Sequence, residues 1–159
     1  IGNKDQAKSI NNDASRNFIT VDDLVSRDIA INNGIEFISE DSYQSRALKI
    51  LEEEGVEKGY SNQKLAQRYA LLCLYYRTYS VRTDVTDDQF GHGTVPNWKV
   101  ISPWKFSWDK DECTWYGIAC DTYGLVTHIE LANHLLTGYI PMELKLLNGG
   151  PIGIIDFSD

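Results

Sequence analysis

The chain is short of positive charge. Its 159 residues hold 15 Lys and Arg against 23 Asp and Glu, a formal net charge of -8. Nucleic acids are bound through a basic footprint, so a nucleic-acid partner is not expected. No run of Lys and Arg overrides the total, which also disfavours anionic lipid surfaces. Long apolar runs are lacking too. A membrane span needs about 18 or more apolar residues in a row. The stretches around 69–76 and 144–147 are far shorter, so the expectation is no span and at most a peripheral place at a membrane.

Chemical motifs are equally scarce. No C-x-x-C pair suggests zinc. The acidic loop with Asp84, Asp87 and Asp88 lacks the spacing and distal Glu of an EF-hand, and reads as a solvated loop. Neither G-x-S-x-G nor H-E-x-x-H occurs, and no Gly-rich loop is built to cradle phosphate. A carboxylate pair for glycoside hydrolysis cannot be singled out among 23 acidic residues. The expectation is a chain that is not an enzyme, with no cofactor and no metal.

What is present is ordinary for a soluble protein: 42% apolar and 24% charged residues. The length suits one domain, or one domain plus an arm, burying about two-thirds of the unfolded surface. The chain starts at Ile1 and shows no signal or transit segment, as expected where one has been removed. There are three cysteines, Cys73, Cys113 and Cys120. Cys113 and Cys120 lie in a Trp- and Gly-rich turn that suits a short disulfide loop, with two reduced buried thiols as the alternative. No His or orienting carboxylate marks either as a catalytic nucleophile. Cys73 lies in a helical pattern and reads as a buried free thiol.

Residues 1–40 read as a polar arm with a short helix. Its first 20 residues are too polar to fold alone. Val21, Leu24, Val25, Ile29 and Ile31 then form an imperfect helical stripe, interrupted at Gly34. Residues 41–110 read as a helical cap and connector. Asp41 and Gln44 form a capping-box pattern, with Tyr43, Ala47, Ile50 and Leu51 following at helical spacing. Glu52, Glu53 and Glu54 close that helix, with Gly55 as its stop. The strongest helix spans 61–80. Leu65, Tyr69, Leu72, Cys73 and Tyr76 share one face, with Ala66 and Ala70 beside it. Tyr75, Tyr76 and Tyr79 give it an aromatic tip, read as packing rather than as a binding stripe. His92 sits between glycines in a loop. Trp98, Trp104 and Trp108 read as fasteners between this helical layer and the C-terminal part of the chain.

Residues 111–159 read as the turn plus one to two repeats. Val126, Ile129, Leu131, Leu136, Gly138, Ile140, Pro141 and Leu144 fit L-x-x-L-x-L-x-x-N-x-L-x-G-x-I-P-x-x-L. In that pattern Ile129 and Leu131 face inward from a short strand, and Glu130 faces out. Leu136 and Ile140 fold under, and Gly138 permits a turn. Ile152, Ile155 and Phe157 repeat Val126, Ile129 and Leu131 at an offset of 26 residues, inside the range of about 20–29 for leucine-rich repeats. His128 and His134 fall on the repeat. Six residues apart, they have a metal-binding reading, but histidines without a ligand role are the plainer one.

Ala70-Leu71-Leu72-Cys73-Leu74, then Trp104 or Trp108, then C-x-W-x-G-x-x-C at Cys113–Cys120, then the repeat from Val126 to Leu144, together resemble the N-terminal cap and first repeats of plant-type leucine-rich repeat proteins. The string Gln67 to Tyr76, the Asp111-Glu112-Cys113 turn and the 43–48 helix resemble the leucine-rich repeat set of diatoms and related algae more closely. The resemblance spans about 42–157. It implies an α+β fold, an α-helical N-terminal layer followed by a short leucine-rich repeat solenoid, with Cys113 and Cys120 in a structural disulfide. His134 stands where the repeat has its ladder Asn, with Asn133 one place earlier. Gly149-Gly150-Pro151 replaces the usual apolar link. Fewer than two repeats are present where about three are normally needed. Further repeats, or the helices and a partner, are therefore expected to cover the open end.

The function implied is a non-catalytic protein-binding or scaffolding subunit of a multi-subunit assembly. Given the algal resemblance, an algal photosystem–antenna complex, peripheral to the thylakoid membrane of a plastid, is the assembly expected. The alternative is an extracellular or cell-surface recognition domain of a receptor-like protein, which a disulfide suits. The partner-binding face is expected around His128, Glu130 and His134.

Overall fold

A computed structural model describes residues 19–53, 60–78, 81–82, 95–96, 111–134, 136–147 and 152–158. The expectations for residues 1–18, Glu54, Gly55, Tyr79, the acidic loop with Asp84, Asp87 and Asp88, His92, Trp98, Trp104, Trp108 and Gly149-Gly150-Pro151 lie outside them.

Helix α1 (Val21–Ser26) opens on a reciprocal cap: the Thr20 hydroxyl accepts from the Asp23 N–H, and the Asp23 carboxylate accepts from the Thr20 N–H. It stops sooner than the apolar stripe to Ile31 suggests. Asp28 takes a left-handed φ of 56°, and the N–H groups of Ile29 and Ala30 both turn back to the Leu24 carbonyl. The stripe is still buried, with Leu24 and Ile29 in the core. A second reversal at Gly34, φ 87°, leads into a single 3-10 turn, Ile35–Phe37.

Helix α2 (Tyr43–Glu53) starts one residue later than the Asp41 capping box predicts. The Ser42 hydroxyl accepts from the Ser45 N–H and does the capping. The Asp41 side chain is 97% exposed, and the Gln44 amide is drawn away to Glu143.

Helix α3 (Asn62–Thr78) is the centre of the molecule. Good helix formers fill it, and neither Gly nor Pro interrupts it. It packs against α2 on one side and against the 3-10 turn Met142–Leu146 on another. Every residue from 65 to 75 is buried. The expected single apolar face is therefore too narrow: a helix buried all round is a core helix, not an amphipathic one. Tyr69, Leu71, Leu72 and Leu74 form its heart with Leu24, Leu51, Trp115 and Ile129.

Two short strands, β1 (Val81–Arg82) and β2 (Val95–Pro96), pair antiparallel. The larger sheet has three strands in the order β3 (Ile118–Cys120), β4 (Val126–Glu130), β5 (Ile154–Asp156). β4 pairs antiparallel with β3 and parallel with β5.

This sheet corrects the expected solenoid. A leucine-rich repeat solenoid stacks one parallel strand per coil. Here one neighbour of β4 comes from a hairpin instead. The Asp121 N–H donates to the Leu125 carbonyl, and the Asp121 carboxylate accepts from the N–H groups of Tyr123 and Leu125, which folds β3 straight back on β4. The 26-residue offset appears once, as the register of His128 with Ile154, Ile129 with Ile155, and Glu130 with Asp156. Its side chains do not reproduce a coil. Ile129 is fully buried whereas Ile155 is 47% exposed, and Ile140, expected to fold beneath, is 61% exposed. The described residues form three α-helices packed with a small mixed sheet.

Candidate functional site

The joint between α3 and the sheet is built around one carboxylate. Glu112 sits in the 3-10 turn Glu112–Thr114 and is fully buried. Its Oε1 accepts from Gln67 Nε2 at 2.7 Å and from Lys64 Nζ at 3.0 Å, and its Oε2 accepts from Arg68 at 3.1 Å. Lys64, Gln67 and Arg68 lie one turn apart on α3, so one helix edge supplies all three donors. Gln67 also donates to the Gly124 carbonyl at 3.0 Å and accepts from the Val126 N–H at 2.7 Å, which pins the first residue of β4 to the helix. The Arg68 guanidinium lies 5.1 Å from the Trp115 ring centroid.

Electrostatics follow the geometry. Burial alone would lower the Lys64 pKa, but Glu112 and Asp111 together overcome it and hold the ammonium above its ordinary value. Burial would raise Asp111, but the Cys113 N–H and Lys64 outweigh it and hold the carboxyl low. Cys113 and Cys120 are joined in a disulfide, and Cys73 is a buried free thiol. Burial, with the Glu143 charge behind it, pushes the Cys73 pKa well up and keeps the thiol protonated and inert.

The joint holds out a sheet face. Pairing sets Ala119, His128 and Ile154 side by side, with Glu130 beside Asp156 two residues on. Ile118 and Ile129 point the other way, into the core. Ala119, Ile154 and Glu130 are exposed. His128 is half-buried, its Nδ1 2.9 Å from the Thr127 hydroxyl. The Ser158 N–H, bonded at 2.9 Å, holds the Asp156 carboxyl below its ordinary range. Of the three residues expected to contact a partner, the sheet therefore brings His128 and Glu130 onto one face. His134 departs from them: it is 4% exposed and packs on Tyr116, with ring centroids 5.2 Å apart. Asn133, φ 61°, makes the left-handed turn that tucks it in.

A second buried carboxylate, Glu143, was not distinguished in the sequence. It is 2% exposed and accepts from the Tyr43 hydroxyl at 3.0 Å and from the Gln44 amide at 3.2 Å. Burial and the Glu143 charge raise the Tyr43 pKa. Arg77 lies over both Tyr43 and Tyr139. This cluster ties α2 to the 3-10 turn Met142–Leu146 across the end of α3, a packing role like that of Glu112. An open groove of about 540 Å³ beside α2 has Phe37 and Leu48 among its walls and a rim of both charge signs, including Lys49 and Glu52.

Among the described residues, no group of three or more His, Cys, Asp and Glu is placed to hold a metal ion. No described helix is long and apolar enough to cross a membrane. Gln67 and Arg68 did carry a signal: two polar residues inside the run Leu65 to Leu74 require a buried acceptor, though sequence does not name Glu112 as that acceptor. No protein-family model matches the chain, and neither a curated protein nor a solved structure does.

Proposed function

We propose that this chain is a non-catalytic protein-binding or scaffolding subunit of a larger assembly, and that the outer face of the sheet is its contact surface. One observation carries the reading. The buried charged residues Arg68, Glu112 and Glu143 are committed to holding elements together, while apolar and acidic residues are left outside on one small sheet. Ile154 is 47% exposed on β5, paired with His128, and Glu130 and Asp156 follow two residues on along the same face. Exposed apolar groups ringed by charge are the composition of a protein contact. On the resemblance to the algal leucine-rich repeat set, the assembly is a photosystem–antenna complex at the thylakoid surface.

The second reading is an extracellular recognition domain, which the Cys113–Cys120 disulfide favours because such bonds persist in oxidising compartments. A photo-crosslinking residue at position 154, with a control at the exposed Lys49, tests the contact surface. The reading predicts a single polypeptide joined from 154 and none from 49. Equal labelling from both positions, or none from 154, overturns it. Native gel separation of solubilised thylakoids then distinguishes the two settings. Co-migration with pigment complexes supports the first, and recovery only in the secreted fraction supports the second.

A further inference from the structure

We propose that the Cys113–Cys120 bridge is a reversible dithiol–disulfide couple, and that Lys64 makes Cys113 the sulfur released as thiolate when a dithiol reduces it. The proposal does not depend on the binding role. It rests on where the Lys64 ammonium lies. Its Nζ is 3.0 Å from an Asp111 carboxylate oxygen and 3.0 Å from Glu112 Oε1. An ammonium has three protons. With the two carboxylates as its nearest acceptors, the ammonium also lies 3.4 Å from the Gly124 carbonyl oxygen and 3.8 Å from Cys113 Sγ, which is itself 3.4 Å from that carbonyl.

Among the described residues, the charged groups at or beside Cys113 are Lys64 from α3 and Asp111 and Glu112 from its own turn, with Arg68 bonded to Glu112. The two carboxylates are already occupied. Asp111 accepts from the Cys113 N–H at 2.9 Å and from Lys64. Glu112 accepts from Gln67, Lys64 and Arg68. Lys64 is the one of these placed against the sulfur. Among the described residues, no charged group is bonded to the Cys120 sulfur at the end of β3, and both cysteines are only partly buried.

A thiolate leaves faster the lower its pKa, and an adjacent ammonium lowers it. The external dithiol, as thiolate, attacks Cys120 Sγ. The S–S bond breaks and its electron pair stays on Cys113, beside Lys64. The second thiol of the reductant loses its proton and attacks the mixed disulfide, releasing Cys120, which takes up a proton. Two electrons pass to the protein and the dithiol becomes a cyclic disulfide. The joint does not depend on the bridge, because Glu112, Gln67 and Arg68 still hold the turn to α3. Reduction therefore frees the 113–120 turn locally, next to Ala119 on the outer sheet face.

Cys73 provides an internal control for unfolding, since it is fully buried. The full chain is reduced with dithiothreitol, freed of it without air, and treated with limiting iodoacetamide, and each cysteine is read by peptide mass. Cys113 is expected to label about tenfold faster than Cys120 at pH 7, with Cys73 unlabelled. Lys64→Met brings the ratio to about one, and Lys64→Arg restores it. The proposal is overturned if Cys120 labels as fast in the wild-type protein, or if Lys64→Met leaves the ratio unchanged. Labelling of Cys73 at the Cys113 rate in the reduced wild type also overturns it, since the bridge would then be a staple whose loss unfolds the chain. If Lys64→Met itself exposes Cys73, the pH profile of the wild type decides. The midpoint for Cys113 must lie below that for Cys120, and coincident midpoints reject the proposal.

Discussion

Glu112 is the buried carboxylate that gathers three donors from α3. Its carboxylate is fully buried with Arg68, itself 3% exposed, and with Gln67. Removing one partner of such a group leaves an uncompensated buried charge, which costs about 3–5 kcal/mol. Glu112→Ala is expected to lose that much in urea unfolding; a loss under about 1 kcal/mol would show that water replaces the carboxylate. Gly117 and Gly124 make a sharper contrast. Both have positive φ, 75° and 77°. A Cβ on Gly117 would overlap the Glu130 carbonyl oxygen and come within 2.9 Å of Leu131 Cδ2, whereas on Gly124 it would meet only Lys64 Nζ at 3.7 Å. Gly124→Ala is expected to cost about 1 kcal/mol, from backbone strain alone. Gly117→Ala is expected to cost about 3 kcal/mol or more, because β3 and β4 must separate. Equal losses in thermal unfolding would contradict that packing. At this scale the sequence was legible where chemistry is local, as in Cys73 and the Cys113–Cys120 bridge. It was opaque for Glu112 and Glu143, whose partners stand about 45 and 100 residues away.

Helix α3 was legible as an element but not as a core helix, because its polar members Gln67 and Arg68 disguise burial on every side. α2 was legible to within one residue. Ser42 and Asp41 are both good caps; Ser42 is held in the cap position by the Glu36 carbonyl and the Ser45 hydroxyl, while Gln44 turns to Glu143. Ser42→Ala is expected to cost about 1 kcal/mol. The hairpin of β3 and β4 was missed because its residues also fit the disulfide turn of the resembled cap, although Asp121 and Gly124 are ordinary turn residues.

The packing of these elements sets a pH dependence. The folded pKa values of Cys73, Tyr43 and Tyr69 are raised from 9.0, 10.0 and 10.0, chiefly by burial, and that of Lys64 is raised from 10.5 by its carboxylates against burial. The unfolded chain gives up these protons first, so each contributes stability below its ordinary pKa that is lost as pH rises beyond it. Asp111 has the opposite sign. Held below 3.8, it contributes stability above that value which is lost as pH falls through its folded pKa. The melting temperature is expected to be flat from about pH 5 to 9, to fall steeply above 9, and to fall in acid below about 4. A melting temperature still level at pH 11 would contradict the burial of Tyr69 and Cys73.

At the scale of the whole molecule, the alternation of Ile129, Glu130 and Leu131 and the 26-residue offset are both visible in the sequence and both present in the sheet. The solenoid they suggest is not, because a hairpin strand occupies one side of β4 and the second copy leaves Ile155 half outside. Periodicity reports strand register; it does not report what lies on the other edge of a strand. Glu112 and Gln67 join α3 and the sheet into one cooperative body, and the outer face is held rigid by that joint. Native-state hydrogen exchange measures this most directly. The Val126 N–H is bonded to Gln67 and the Leu131 N–H to the Asp156 carbonyl. Both are expected to exchange with opening free energies within about 1 kcal/mol of the central amides of α3, and to fall together with them in Glu112→Ala. Exchange of Val126 and Leu131 through a much lower opening free energy, unchanged by Glu112→Ala, would show a sheet that opens by itself and would contradict the account.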